Sequence, residues 1–185
     1  MTAEDVSNES QARTERCSLV ILHESGEALE HAESLCDRII SEMWAELDME
    51  IHRWPFTVLA SDPTSDEAAR KAALADVVVV AATSGNEFSQ EFLAWADRFV
   101  DLRQKREGAL VGLIPSGKGK SGGTPSQDVQ LHHLALRAGM DYLNHLPNSP
   151  HGSIPDLTEW CASRAETFTG TLTEIIRSDP PPKGV

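Results

Sequence analysis

Positive charge is scarce in this chain. Its 185 residues include 16 lysines and arginines against 29 aspartates and glutamates, which gives a formal net charge of −13. Because the phosphates of nucleic acids and of anionic membrane surfaces repel such a surface, neither is an expected partner. The ordinary role of this acidity is to keep the protein soluble.

Long apolar runs are missing, and cysteines are few. No run of about eighteen apolar residues occurs, so no transmembrane helix is expected. Residues 1–16 are polar and acidic and lack the apolar segment of a secretory signal. Cys17, Cys36 and Cys161 are odd in number, far apart and set in apolar patterns. We therefore expect reduced core thiols in a cytoplasmic protein.

Motifs for catalysis or metal binding are also missing. No Cys or His pair has the spacing of zinc ligands, and no Gly-x-Ser-x-Gly nucleophile elbow occurs. His132 and His133 are neighbours on a predicted helix, so their side chains diverge by about 100° and do not share a metal. The sequence alone therefore identifies no catalytic residue and no metal site.

Four consecutive valines at 77–80 are the clearest structural signal that is present. Such a run predicts a strand buried on both faces, as in parallel sheets covered by helices. Val78 and Val79 should then both be buried, one towards each helical layer. At 40% hydrophobic residues, the chain can bury a full core.

Strand and helix signals alternate along the rest of the chain. Strands are predicted at 17–23, 49–58, 77–80, 108–115 and 140–146. Helices are predicted over 29–47, from a capping box at Thr64 to Leu74, from a second box at Ser84 to Leu102, over 131–138, and over 157–175. Pro55 indicates that the second strand lies at an edge of the sheet. Gly139 is the expected C-cap of the fourth helix.

Strict alternation of five strands with five helices predicts one doubly wound α/β domain. Its sheet should be parallel, with helices on both faces and the strand order 2-1-3-4-5. The domain is expected to span 17–177, between a disordered acidic tail at 1–16 and a Pro-rich tail at 178–185. In such sheets ligands bind at the carboxyl ends of the strands, here beside the first and third strands.

The loops after the first, third and fourth strands carry the residues predicted to line this site: Ser25, Gly26, Thr83, Ser84, Asn86, Phe88, Ser116, Gly117 and Lys118. Ser25 and Gly26 lie where a phosphate would meet the N-terminus of the first helix. The alternative is ordinary capping, with Ser25 as N-cap and Glu27 favoured by the helix dipole.

The aromatic stripe that starts at Phe88 has the spacing of residues that pack in a core. Phe88, in the first turn, is its member nearest the site, and Trp54 is a second aromatic candidate.

The glycine-rich loop at 116–124 is similar to a Walker A motif, but its spacing fails. Counted from Gly112, the motif would place Gly119 where a Ser or Thr must hold magnesium. The remaining interpretations are a solvated loop, a cofactor contact and a partner contact. Lys118 and Lys120 would supply local positive charge there.

Over roughly 17–146 the chain resembles the flavodoxin-like superfamily, and within it the NADPH-dependent FMN reductase branch. The matching text is 84–89 followed by 92–97, and the glycine-rich 117–123 followed by LHHLALRAGM. The resemblance implies FMN bound by the three loops, with electrons passed from NAD(P)H to a small acceptor. A second hypothesis is a cofactor-free module that binds a small molecule or a protein partner. The oligomeric state stays open.

Two carboxylates depart from the family's phosphate loop, which is rich in Ser, Thr and Arg. Glu24 and Glu27 flank the helix N-terminus that would receive the phosphate of FMN. A carboxylate about 6 Å from a phosphate costs about 2–3 kcal/mol at an effective dielectric near 20. The helix dipole offsets only about 0.3–1 kcal/mol of this. FMN binding is therefore expected to be weak or absent.

Overall fold

The computed structural model describes residues 15–43, 47–83, 87–114 and 126–144. Strands and helices alternate in it as β1 (Glu15–His23), α1 (Gly26–Met43), β2 (Leu47–Pro55), a 3₁₀ turn (Phe56–Ala60), α2 (Asp62–Leu74), β3 (Val77–Ala81), α3 (Gln90–Arg103), β4 (Ala109–Leu113), α4 (Ser126–Ala138) and β5 (Asp141–Asn144). Four predicted features lie outside the described residues: residues 1–14 of the acidic tail, the helix at 157–175, the Pro-rich tail at 178–185, and Cys161.

The five strands form one parallel sheet in the order β2-β1-β3-β4-β5. This confirms the predicted doubly wound α/β fold with the flavodoxin-like strand order. β2 lies at an edge, as Pro55 indicated. His23 is in register with Ala81, and Ala81 with Leu113. The carboxyl ends of β1, β3 and β4 therefore lie at one level, on one edge of the sheet.

The valines of β3 divide the core between the two faces of the sheet. Val78 and Val80 pack in the cluster formed with α2, α3 and α4, whereas Val77 and Val79 pack in the cluster formed with α1. All four side chains are at most 1% exposed. The predicted burial of Val78 and Val79 in opposite layers is confirmed, and β3 is the central strand.

Both predicted capping boxes place the helix starts wrongly. α2 begins at Asp62 after the N-cap Ser61, so Thr64 lies inside the helix. The fixed φ of Pro63 suits a first-turn position and favours this earlier start. α3 begins at Gln90, because the Ser89 hydroxyl accepts a hydrogen bond from the N–H of Phe92. Ser84 lies outside the described residues.

The ends of two strands also differ from expectation. β2 stops at Pro55 rather than at residue 58, since proline has no N–H to continue the ladder. β1 starts two residues before the predicted Cys17, because Glu15 and Arg16, in the stretch expected to be a tail, pair with β2.

Gly139 follows α4 with a φ of +68°, the left-handed backbone of a C-cap glycine, as predicted.

Both cysteines that the structure describes are thiols and not halves of a disulfide. Cys36 is buried and Cys17 is half-buried. Burial, more than any charged neighbour, raises the pKa of the Cys36 thiol to about 11. The thiolate is the reactive form, so this cysteine is unreactive near neutral pH.

None of the helices in the described ranges is long and apolar enough to cross a membrane.

Candidate functional site

The candidate site is the crevice at the carboxyl edge of the sheet, between the loop after β1 and the loop after β3. Ser25, Gly26, Thr83 and Phe88 are the predicted site residues that the structure describes. The others lie outside the described residues: Ser84, Asn86, Ser116, Gly117 and Lys118. The described part of the crevice is therefore its β1–β3 side.

Glu24 joins the two loops directly. Its Oε2 accepts a hydrogen bond from the Thr83 N–H at 2.7 Å and from the Thr83 hydroxyl at 3.2 Å. Both residues are half-buried. In the sequence Glu24 stands out only as a negative charge, whereas the structure shows its carboxylate bound to the donors of a predicted ligand residue. The charge is therefore held against the loop after β3 rather than pointing freely into solvent.

Ser25 is the N-cap of α1, which confirms the capping interpretation. Its hydroxyl accepts a hydrogen bond from the Ala28 N–H at 3.2 Å, and its carbonyl accepts one from the Leu29 N–H at 3.0 Å. The His23 ring lies with Nδ1 3.1 Å from the Ser25 carbonyl oxygen, so a proton on Nδ1 would be donated to it. Gly26 is exposed, and a Cβ built there would meet no atom within 4 Å. The N-terminus of this helix is thus already capped from within the chain.

Phe88 lies before α3 and belongs to a packed aromatic cluster. Its ring stacks on that of Phe92, with centroids 4.0 Å apart, and meets Phe56 edge-on at 6.0 Å. It is only 6% exposed, and its N–H donates to the Gln130 side chain at 3.4 Å. Trp54 packs half-buried against the same core. The rings of Phe56, Phe88 and Phe92 thus contact one another.

A second polar group, missed in the sequence, joins α4 to β5. The Tyr142 hydroxyl donates to the Asp128 carboxylate, and the Tyr142 ring stacks on His132 with centroids 5.5 Å apart. Burial, and then the hydrogen bond and charge of Asp128, raise the pKa of Tyr142 well above its usual value. The phenol therefore stays protonated and positions α4 against the sheet. Gly112, the first glycine of the failed Walker A spacing, lies in β4 next to this hydroxyl.

Replacing Gly112 by alanine is expected to lower the free energy of unfolding by about 1–3 kcal/mol. A Cβ at Gly112 would lie 2.5 Å from the Tyr142 hydroxyl oxygen and 3.1 Å from Leu131 Cδ1. The tyrosine would have to shift and weaken its bond to Asp128. Urea unfolding measures the loss, with Gly26→Ala as the control because that methyl group enters open space. Equal stability of the two variants would contradict this packing.

The phosphate of FMN does not fit the described side of the crevice. The Thr83 donors that could bind it already hold the Glu24 carboxylate, and a phosphate would bring a second anion beside it. For a metal ion, the part of the chain that the structure describes contains no cluster of three or more His, Cys, Asp or Glu side chains that could hold one.

No family model and no curated protein matches the chain. Among solved structures, it is similar to a short-chain flavodoxin associated with a non-canonical PDU bacterial microcompartment. The sequence identity is 15%, the alignment covers 83% of this chain and 98% of that chain, and the TM-score is 0.46. The flavodoxin-like fold of this chain is established by its own strand order and by its two helical layers.

Proposed function

We propose that this chain is a flavodoxin-like binding or assembly module that does not hold FMN as a tight cofactor. Its ligand, a small molecule or a segment of a protein partner, binds in the crevice after β1 and β3. The observation that carries this proposal is the Glu24 carboxylate bound to the N–H and hydroxyl of Thr83. A phosphate-binding loop presents free donors, whereas this one presents a negative charge.

The charge of the whole chain supports the same conclusion. With a formal net charge of −13, the protein repels free anions before they reach the crevice. Glu27 adds a second carboxylate in the first turn of α1. Lys118 and Lys120, the cations that the sequence predicts beside the site, lie outside the described residues. The module is thus suited to a neutral or cationic ligand group.

An FMN-dependent NAD(P)H oxidoreductase is the second candidate. The observation that favours it is the alignment of His23, Ala81 and Leu113 at one edge of the sheet. Flavodoxin-like domains of this strand order bind FMN at that edge. Bound FMN would supply the redox chemistry, and the chain's loops would position it. The two candidates differ in whether the unmodified protein retains FMN.

Titration with FMN, followed by its fluorescence, tests the two candidates. The purified protein is expected to be colourless and to bind FMN weakly. Glu24→Ser combined with Glu27→Thr should raise the affinity about 30- to 160-fold, because it removes a repulsion of about 2–3 kcal/mol. Glu30→Ser with Asp37→Thr removes two exposed charges further along α1 and serves as the control.

The outcomes separate the candidates. Stoichiometric, tight FMN in the unmodified protein would overturn the proposed module and favour the oxidoreductase. No FMN binding even in the double variant would support the module. An equal gain in the control variant would mean that only the net charge matters and not the position of the two carboxylates.

A further inference from the structure

We infer that Glu24, rather than Glu27, is the carboxylate that keeps anions out of the crevice, because it occupies the N–H and hydroxyl donors of Thr83. This inference rests on the proposal that the crevice is the binding site. It goes further by assigning the selection to one contact rather than to the combined charge of Glu24 and Glu27. Glu24 acts here as an internal substitute for a ligand anion.

The backbone on both sides of this contact is held in place. The N–H of Glu24 donates to the Ala81 carbonyl at 2.9 Å, and the N–H of Ala82 donates to the Leu113 carbonyl at 3.1 Å. These bonds extend the β1–β3 and β3–β4 ladders by one step past the strand ends. The loops therefore present Glu24 and Thr83 to each other from a fixed frame. An anion can reach the Thr83 donors only if the Glu24 side chain rotates away.

Glu27 provides a matched comparison. It carries the same charge three residues later, in the first turn of α1, and its side chain is exposed. Charge at that position interacts favourably with the helix dipole and is screened by solvent. Removing Glu27 therefore changes the charge near the crevice without releasing Thr83.

The test uses the full chain, labelled with nitrogen-15 and titrated with inorganic phosphate. Glu24→Ala is expected to show a saturable shift of the Thr83 amide resonance. Its phosphate affinity should exceed that of Glu27→Ala and of the unmodified protein by about tenfold or more, since a charge-assisted hydrogen bond no longer competes. The Thr83 amide should also exchange with solvent about tenfold faster in Glu24→Ala without phosphate.

A second variant keeps the test decisive if Glu24→Ala folds poorly. Glu24→Gln retains an amide oxygen that can accept from the Thr83 N–H but removes the charge, so its phosphate affinity should lie between those of Glu24→Ala and the unmodified protein. Equal phosphate affinity of the Glu24 and Glu27 variants would overturn the inference, as would a folded Glu24→Ala that binds no phosphate.

Failure of this inference is distinguishable from failure of the proposed function. Tight FMN in the unmodified protein would overturn the binding module, whatever the phosphate titration shows. Weak FMN together with equal phosphate responses of the Glu24 and Glu27 variants would leave the module in place and overturn only the role assigned to Glu24.

Discussion

Val79→Asp is expected to lose several kcal/mol of unfolding free energy, about 3–5, and to leave little folded protein. Val79 is fully buried in the central strand and lies in register between Ile21 of β1 and Val111 of β4. Its side chain packs in the apolar cluster beneath α1. An aspartate there must either bury an unpaired charge or take up a proton, and both are costly.

Urea unfolding, followed by far-ultraviolet circular dichroism, measures the effect of this substitution. Val129→Asp makes the same chemical change on an exposed valine in the first turn of α4, where an acidic residue favours the helix dipole. That control should stay within about 0.5 kcal/mol of the unmodified protein. A Val79→Asp protein as stable as the control would contradict the assignment of β3 to the interior of the sheet.

The second large effect is expected at Arg103, where replacement by methionine should cost about 3–5 kcal/mol. Arg103 is 2% exposed, at the end of α3. Its guanidinium donates to the carbonyls of Ala72 at 3.2 Å and Ala75 at 2.9 Å, and to those of Arg106 at 2.9 Å and Glu107 at 2.8 Å. Methionine retains the apolar stem but leaves these carbonyls without the donor, several of them buried.

The same urea measurement applies to Arg103→Met, with Arg70→Met as the control. Arg70 is exposed on α2, so its replacement should change stability by no more than about 0.5 kcal/mol. Arg103→Lys should also be destabilising, because an ammonium group cannot replace the planar fork that reaches five carbonyls. If Arg103→Met unfolds at the same urea concentration as the control, the guanidinium does not hold the end of α2 to the segment between α3 and β4.

Local sequence patterns were sufficient to predict the fold, because the spacing of apolar residues depends on which faces of a strand or helix are buried. Unbroken valines at 77–80 require apolar neighbours on both faces, and only a central parallel strand offers them. Pro55 lacks the N–H that an interior strand needs, which places β2 at an edge. Strict alternation of strands and helices then leaves few topologies. The strand order and the division of Val78 and Val79 between two layers followed from these signals.

The spacing of a capping box did not predict the helix starts. Serines and threonines near Thr64 compete for the N-cap, and the box spacing alone does not rank them. For α2 a second local signal decides, because Pro63 favours the earlier start at Asp62. For α3 the Ser89 cap places Phe88 before the helix, where its ring packs on that of Phe92, and this packing is not contained in a short window of sequence.

The sequence by itself determined which loops follow the parallel strands and which charges they carry, whereas the tertiary structure decided which of those side chains meet. Charge, turn residues and strand ends are properties of short segments, so the loops after β1 and β3 and the negative charge of Glu24 could be read directly. The bond from Glu24 to Thr83 spans 59 residues, and those of Arg103 to the end of α2 span about 30. Such contacts exist only because parallel pairing places β1 beside β3 and because α2 packs against α3. No local pattern encodes the direction of those side chains.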